Sequence, residues 1–241
     1  QQLQAIGTEK RITIETERKI LIWLKEENKF SGTFWKVTRL LYPIITLSLL
    51  FLFIIEVIPT SVFTFLFILF LVLSSSVSKM IMPAYNQLSK ITGEVETLSD
   101  SILHIEKENF NTGLLQQLQQ SFHQGNLKAS GIIRKLKSIL ERFDYRLNIV
   151  VFVPLNAFLL WDLQQVLLLE KWKITNKQQV KKWYNGLAAF ESLATLGNLS
   201  FNHPDWCFPV LAGDKGVFIT KEMGHPLISA DKIVNNTFSA D

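Results

Sequence analysis

The sequence contains very little cysteine, and this limits the chemistry it can carry. Cys207 is the only cysteine among 241 residues, so an internal disulfide is excluded and nothing demands an oxidising compartment. His203 and Cys207 have a spacing that a helix could bring together, but Pro204 lies between them and no second pair is near, so we expect no zinc site. Without a base and an orienting partner, Cys207 is not expected to be a nucleophile either. We predict that Cys207 is a small buried apolar residue, and we assign no catalytic and no metal-binding residue.

The sequence also lacks a phosphate-binding loop of the type Gly-x-x-x-x-Gly-Lys-Ser/Thr. By itself the chain therefore has nothing with which to hydrolyse ATP, and we expect it to be catalytically silent. Its charge is modest, because 25 Lys and Arg against 21 Asp and Glu give a net charge of +4. This is well short of the clustered basic face of a protein that grips many phosphates. Charge alone does not indicate a nucleic-acid partner.

Long apolar runs, by contrast, are present between residues 40 and 78, one on each side of a turn at residues 59–61. A membrane-spanning helix needs roughly 20 mostly apolar residues, with about 17 as the lower limit, so the first run qualifies and the second is marginal. Glu56 is the only charged residue between Arg39 and Lys79, and it lies at the turn, where it can reach water. Basic residues flank both outer ends, as is typical of the cytoplasmic side of a membrane: Lys36, Arg39, Lys79 and Lys90.

The two runs predict a membrane-spanning helical hairpin over residues 40–78. We therefore expect the chain at the cytoplasmic membrane, with its polar domains in the cytoplasm. The alternative is a buried hairpin in the core of a soluble cytoplasmic protein, for which apolarity around the whole circumference is excessive.

Helical periodicity dominates the rest of the chain as far as residue 196. Residues 8–29 are rich in charge and predict a helix with a narrow apolar stripe. A long amphipathic helix is predicted after Pro83, with a break at residues 109–113, and a short helix follows as far as Gly125. Three further helical segments are predicted, over residues 132–150, 155–172 and 177–196.

The segment 132–150 carries two kinds of signal. Its apolar residues recur at steps of three and four up to Leu147 and Val150, which predicts a face that packs on the core. Its remaining surface is basic and is a candidate for contact with DNA phosphates. The alternative is a solvated helix face, which Glu141 and Asp144 favour. The candidate DNA-binding residues are Arg134, Lys135, Lys137 and Arg142.

The composition of the sequence changes near Gly197. Residues 201–241 are rich in Asn, Pro, Gly and short β-branched stretches, and they predict short strands and turns, with a hairpin turn at residues 213–216. The fold class is therefore mainly α, with long helices and an apolar helical hairpin, followed by a short β-rich segment.

Three short motifs follow one another in the C-terminal part: Ala-Ala-Phe-Glu-Ser-Leu-Ala at residues 188–194, His-Pro-Leu-Ile at 225–228 and Val-Asn-Asn at 234–236. This order resembles the MutS family of DNA mismatch repair ATPases. In that family a small-residue pattern like the first motif closes the helical core and lever region, a motif like the second starts the ATPase domain, and a Val-x-Asn-Asp segment like the third follows. The resemblance covers roughly residues 180–241, and it implies that the chain ends before the phosphate loop of the family.

The departures from the family pattern are specific. Asn236 stands where the family usually has Asp, and the Ser192-Leu193 pair is shifted relative to the common spacing. The Phe-x-Glu motif that detects mismatches is absent, and soluble repair proteins have no apolar hairpin. The resemblance is therefore to a divergent, membrane-attached branch.

The resemblance implies ATP and Mg as cofactors of the longer parent protein, with none bound to this part alone. It also implies DNA as a partner and a homodimer through the ATPase domain. By resemblance, Ile233 and Val234 are an apolar pair that flanks the adenine. Such a pair is physically reasonable, because contact with the base removes apolar area from water. The alternative is that the pair belongs to an inner strand of the ATPase sheet. By resemblance, the residues on the adenine side are Lys232, Ile233, Val234 and Asn235.

The expected function is that of a helical lever, which couples ATP binding in a MutS-like ATPase to movement of long helices. The alternative is a membrane-anchored scaffolding protein with a degenerate nucleotide-binding domain. The expected domains are an N-terminal amphipathic helix at 1–38, the apolar hairpin at 39–78, a MutS-like core and lever domain at 79–199, and the truncated start of the ATPase domain at 200–241.

Overall fold

The computed structural model describes residues 14–210, 216–225, 228 and 231–240. Within these ranges the chain is mainly helical with short strands, which confirms the predicted fold class. The helices are α1 Ile14–Lys25, α2 Thr33–Ile54, α3 Thr60–Leu88, α4 Thr92–Lys107, α5 Gly113–Gln120, α6 Ala129–Phe143, α7 Ile149–Leu159 and α8 Trp161–Asn202. The strands are β1 His123–Gln124, β2 Leu127–Lys128, β3 Phe218–Met223 and β4 Asn236–Ala240.

The chain folds into two compact units, residues 1–194 and residues 195–241. In the first unit, α4 and α6 pack side by side, and α8 lies along the same core. The short strands β1 and β2 form an antiparallel hairpin just before α6. In the second unit, β3 and β4 pair antiparallel, with Ile219 opposite Ser239 and an irregularity between Thr220 and Met223.

The two apolar runs form the helices α2 and α3. Between them Glu56 adopts a left-handed conformation (φ 60°), and the N–H groups of Glu56 and Val57 bond to the carbonyls of Phe53 and Leu52. This pair of bonds is a Schellman motif, which satisfies the last carbonyls of α2 and turns the chain into α3. The rings of Phe53 and Phe63 stack at 4.1 Å across the turn.

Helix α3 is longer than its apolar run. It continues through Pro83 to Leu88, so the prediction that a new helix starts after Pro83 is wrong. Ile81 and Leu88 in this extension are buried in the core of the first unit, and that burial outweighs the backbone bond that proline removes.

The predicted segments 155–172 and 177–196 are one helix, and the chain breaks instead at Leu160. Helix α8 has 42 residues without interruption. Its N-terminal half is apolar and its middle is polar, so the change of composition suggested two helices where packing produces one. Pro154 lies inside α7 and does not interrupt it.

Three residues differ from their predicted burial. Leu147 and Val150 were expected on a core face, but they are 77% and 78% exposed, because α6 ends at Phe143 and a 3-10 helix, Asp144–Leu147, takes the chain out of register. Cys207 was expected to be buried and is exposed. The first part of the predicted helix 8–29 and the predicted turn residues 213–215 lie outside the described residues.

Candidate functional site at the break between α7 and α8

The chain bends by 78° between α7 and α8. Leu160 makes the bend in a left-handed conformation (φ 49°, ψ 53°), although its side chain is only 2% exposed. A non-glycine residue in this region costs roughly 1–2 kcal/mol, so the surrounding packing must hold the bend in place.

Side chains from two other elements satisfy the carbonyls that the bend leaves without a helical partner. The Tyr42 hydroxyl donates to the Ala157 carbonyl at 2.8 Å, and the Thr46 hydroxyl donates to the Phe158 carbonyl at 2.5 Å. The Gln164 amide donates to the Leu159 carbonyl at 3.4 Å. Because α2 supplies both hydroxyls, the first apolar helix and the break form one structural unit.

Arg39 extends this unit to the start of α8. Its Nε donates to Gln164 Oε1 at 2.7 Å, and the Gln164 amide donates to the Arg39 carbonyl at 3.0 Å. The position of α8 is therefore tied directly to the N-terminal end of the first apolar run.

Asn156 forms the centre of a buried polar cluster on the other side of the break. Its Nδ2 donates to the Ser78 hydroxyl at 2.8 Å, and its Oδ1 accepts from the backbone N–H of Asp162 at 3.3 Å. The side chain of Asn156 thus joins the second apolar helix to the first turn of α8, whose N–H groups have no helical partner.

Asp162 and Arg146 add a buried ion pair to this cluster. The distance from Arg146 Nη2 to Asp162 Oδ2 is 3.5 Å, and the two side chains are 8% and 0% exposed. The Arg146 guanidinium also lies 4.6 Å from the centre of the Tyr85 ring, and the Tyr85 hydroxyl donates to Asp144 at 2.9 Å. Burial raises the pKa of Asp162 above its ordinary value, while the Ser78 hydroxyl and the Arg146 charge oppose that rise.

A second pair of charged residues on α8 fixes the connection from α1 to α2. The Glu170 carboxylate accepts from the Phe30 backbone N–H at 2.9 Å, and Lys173 Nζ donates to the Glu26 carbonyl at 2.7 Å, just past the end of α1. Burial raises the pKa of Glu170 and lowers the pKa of Lys173, and their mutual attraction opposes both shifts. Trp23 of α1 stacks on Trp172 beside them.

The contacts in these clusters attach helices to one another. The polar cluster has no cysteine or histidine, and no group of three metal-ligating side chains is found among the residues that the structure describes. Its contacts instead join helices to one another: Asn156 links α7 to α3 through Ser78 and to α8 through the Asp162 backbone N–H. We therefore regard the α7–α8 break as a junction that positions α8.

The four candidate DNA-binding residues lie on α6, and two of them pair with α4. Lys137 contacts Glu96 at 2.6 Å, and Arg134 lies 3.9 Å from Asp100. Lys135 and Arg142 are exposed and form no ion pair with another described residue. The acidic face of α4 thus neutralises part of the basic surface, and DNA binding stays a prediction.

The four candidate adenine-side residues immediately precede β4. Ile233 and Asn235 lie over Gly224, so closely that a side chain at Gly224 would collide with them. Val234 is 78% exposed and therefore available to a base face, whereas Ile233 is half-buried against Gly224. Lys232 and Asn235 are exposed. Pro226 and Leu227 of the family-like motif lie outside the described residues.

The junction residues were missed at the level of sequence, although a signal was present. Asn156 and Asp162 are isolated polar residues in the otherwise apolar stretch 149–163, and such residues in apolar segments often mark a specific contact. Arg146 carried no separate signal, because it belongs to a run of basic residues.

None of the known protein-family models, curated proteins or solved structures matches this chain. Any family assignment therefore rests on the residues of the C-terminal segment.

Proposed function

We propose that this chain is the membrane-attached helical lever of a MutS-like ATPase, in which α8 transmits the nucleotide state of a C-terminal ATPase domain to the apolar hairpin. The observation that carries the proposal is the set of contacts along α8 in the first unit. They begin at Arg39, continue at Phe30 and Glu26, and extend to the Ile132 carbonyl, which accepts from Trp172 at 2.9 Å.

A helix with this pattern of contacts can work as a lever. At about 1.5 Å per residue, its 42 residues extend over roughly 60 Å. A shift of α8 would change the contacts of α1, α2 and α6 together, because Gln164 bonds α2 and the single turn 170–173 bonds α6 and the segment that follows α1. Such coupling needs two discrete arrangements that the nucleotide favours unequally.

Membrane attachment is supported by α2 and α3. Both are long and apolar enough to cross a membrane, and only 6% and 11% of their most apolar stretches are buried within the chain. Leu40, Phe51 and Phe65 are 66%, 61% and 69% exposed. Apolar surface on this scale needs a partner other than water, and a bilayer is the partner that fits two helices apolar on all sides.

The nucleotide site is supported only in part by the residues present. Val234 fits a contact with an adenine face, whereas Ile233 packs on Gly224, so the base would have one apolar neighbour here rather than two. The sequence contains no loop for the phosphates or for Mg. In this proposal those groups are held by residues of the parent protein.

A nucleotide titration of the parent protein tests the ATPase part. We expect ATP to bind, and we expect Val234→Asp to weaken binding, because it puts a charge against an apolar base. Ile219→Asp is a matched control, since Ile219 is also an exposed apolar residue of the second unit (66% exposed) and lies on β3. No ATP binding by the parent protein would favour the membrane-anchored scaffold instead.

Partition into vesicles tests the membrane part. We expect the chain to require detergent and to co-sediment with phosphatidylcholine vesicles after an alkaline wash, which removes peripheral proteins. A chain that stays monodisperse without detergent and remains in the supernatant would make residues 40–78 a soluble hairpin.

A further inference from the structure

The segments on either side of α7 meet each other. Arg146 precedes α7 and Asp162 follows it, and their side chains form the buried ion pair at 3.5 Å. The rings of Tyr145 and Trp161 stack at 5.8 Å with an angle of 5° between them, and Trp161 Nε1 donates to the Arg142 carbonyl at 2.9 Å. The residues that precede α7 therefore contact the residues that follow it.

The length of α7 agrees with this path. With 11 residues it extends over about 16 Å, roughly half of the 30 Å hydrocarbon layer, so it is too short to cross. Its composition is apolar throughout apart from Asn156, whose side chain is buried against Ser78.

Contacts with α2 and α3 give the depth that α7 reaches. Its last carbonyls bond to Tyr42 and Thr46, and the Tyr42 hydroxyl is also 3.4 Å from the Phe70 carbonyl. At about 1.5 Å per residue, Thr46 lies roughly 9 Å past the start of the first apolar run at Leu40, and Phe70 roughly 12 Å from the end of the second at Ser78. Both depths fall within one half of a bilayer about 30 Å thick.

The apolar surface at the N-terminal end of α7 is uncovered. Leu147, just before the helix, and Ile149 and Val150 within it are 77%, 71% and 78% exposed, among the highest values for large apolar residues of the first unit. The stacked Tyr145 and Trp161 lie beside them, and aromatic side chains of this kind are enriched at the border between headgroups and hydrocarbon.

We propose that α7 is a re-entrant helix that enters and leaves the bilayer from the cytoplasmic side, with Leu147, Ile149 and Val150 in contact with lipid in one leaflet. The lipid surface is chosen as the occupant because this face is continuous with α2 and α3, which a bilayer would also cover. This inference rests on the proposed membrane attachment and adds a third membrane element to it.

The proposed re-entrant path gives a physical reason for the hydrogen bonds made at the Leu160 bend. Backbone that leaves helical geometry within a membrane is tolerated only where protein groups satisfy it. The carbonyls of Ala157, Phe158 and Leu159 have such partners. The start of α8 is thus held at the membrane surface by an element embedded in lipid.

Cysteine accessibility tests the path of the chain. In a Cys207→Ser background, single cysteines are placed at Lys135 before α7, at Lys171 after α7 and at Val57 in the hairpin turn, all of which are exposed. The full chain is reconstituted with one orientation in sealed vesicles of phosphatidylcholine and phosphatidylglycerol and treated with a membrane-impermeant maleimide.

The re-entrant path predicts that K135C and K171C react from the same side and V57C from the opposite side. Reaction of K135C and K171C from opposite sides, with V57C still opposite to K135C, would show a third span and overturn the inference while the hairpin stands. Reaction of all three from one side would show that the hairpin does not cross, and would overturn the membrane attachment itself.

Lipid quenching tests the depth of α7. A fluorophore on V150C should be quenched by lipids spin-labelled near the headgroup and less by lipids labelled near the chain end. The same fluorophore on K135C should be quenched by aqueous iodide alone. If V150C behaves like K135C while a label on F65C in α3 is still quenched by lipid, α7 lies outside the bilayer and the inference fails.

Discussion

Arg146 and Asp162 stand on opposite sides of α7 in the sequence and form an ion pair that is almost entirely buried, with 3.5 Å between their charged atoms. Burying two charges is costly, so such a pair adds little net stability by itself, but losing one partner leaves the other charge uncompensated. The pair therefore selects one path of the chain between α6 and α8.

Asp162→Asn should destabilise the first unit by about 3–5 kcal/mol, because the Arg146 charge loses its buried partner. The double variant Arg146→Met with Asp162→Asn should recover most of this loss, since no charge is then buried. Thermal unfolding in detergent measures both. Arg134→Ala is the matched control, because its pair with Asp100 is exposed and should contribute less than about 1 kcal/mol. Equal losses for the single and double variants would contradict this account.

Glu170 should make stability fall as pH rises. Its pKa is raised by burial, so the folded state holds a proton more tightly than the unfolded state. The stability that Glu170 contributes through this raised pKa is complete below the ordinary pKa of 4.5 and is lost as pH increases through the raised value. Glu170→Gln removes this titration and should flatten the decrease in unfolding free energy from pH 4.5 towards neutrality, while the glutamine oxygen can still accept from Phe30. Denaturant titrations at several pH values test this, and an unchanged slope would exclude Glu170 as its source.

Gly186 should be sensitive to a single added methyl group. A Cβ at this position would lie 2.6 Å from the Ser121 hydroxyl and 3.0 Å from the Phe122 ring. We expect Gly186→Ala to cost about 1–3 kcal/mol through overpacking between α8 and the β1 region.

Gly197 provides the matched control on the same helix. Beyond the neighbouring backbone of α8, no atom of the described residues lies within 4 Å of a Cβ built there, so Gly197→Ala should stabilise by about 0.5–1 kcal/mol through lower backbone entropy in the unfolded chain. Chemical denaturation compares the two variants. If both stabilise, the close contact between Gly186 and Ser121 does not restrict this position.

DNA binding through α6, if present, should depend on the cations without a carboxylate partner. Lys135→Glu with Arg142→Glu should weaken binding to a duplex and reduce the slope of log affinity against log salt by about 2. Lys137→Gln is the comparison, since Lys137 already pairs with Glu96 and Glu141. Fluorescence anisotropy at several salt concentrations gives the slope. An affinity and slope unchanged in the double variant would remove DNA as a partner of this face.

The sequence predicted the local elements correctly where a segment has one periodic apolar pattern and packs on the core with that face. The break at residues 109–113 appears between α4 and α5, and the turn at Gly125 appears between β1 and β2. Failures occurred where composition and packing diverged. Leu147 and Val150 continue an apolar pattern and yet are exposed, because the 3-10 helix at Asp144 rotates the chain and because lipid, in our proposal, replaces the core.

Sequence alone determined that the chain is mainly helical and that two runs are apolar on all sides, because these properties depend on the order of side chains along one segment. Only the tertiary structure decided that α7 turns back at Leu160 and that Arg146 meets Asp162. That pairing joins residues separated by a whole helix, and its stability depends on Tyr85, Ser78 and Asn156, which are brought together from different elements. The isolated polar residues Asn156 and Asp162 mark the junction in the sequence, but no local pattern gives their partners, because the energy of the junction comes from burial and from residues that are distant in the chain.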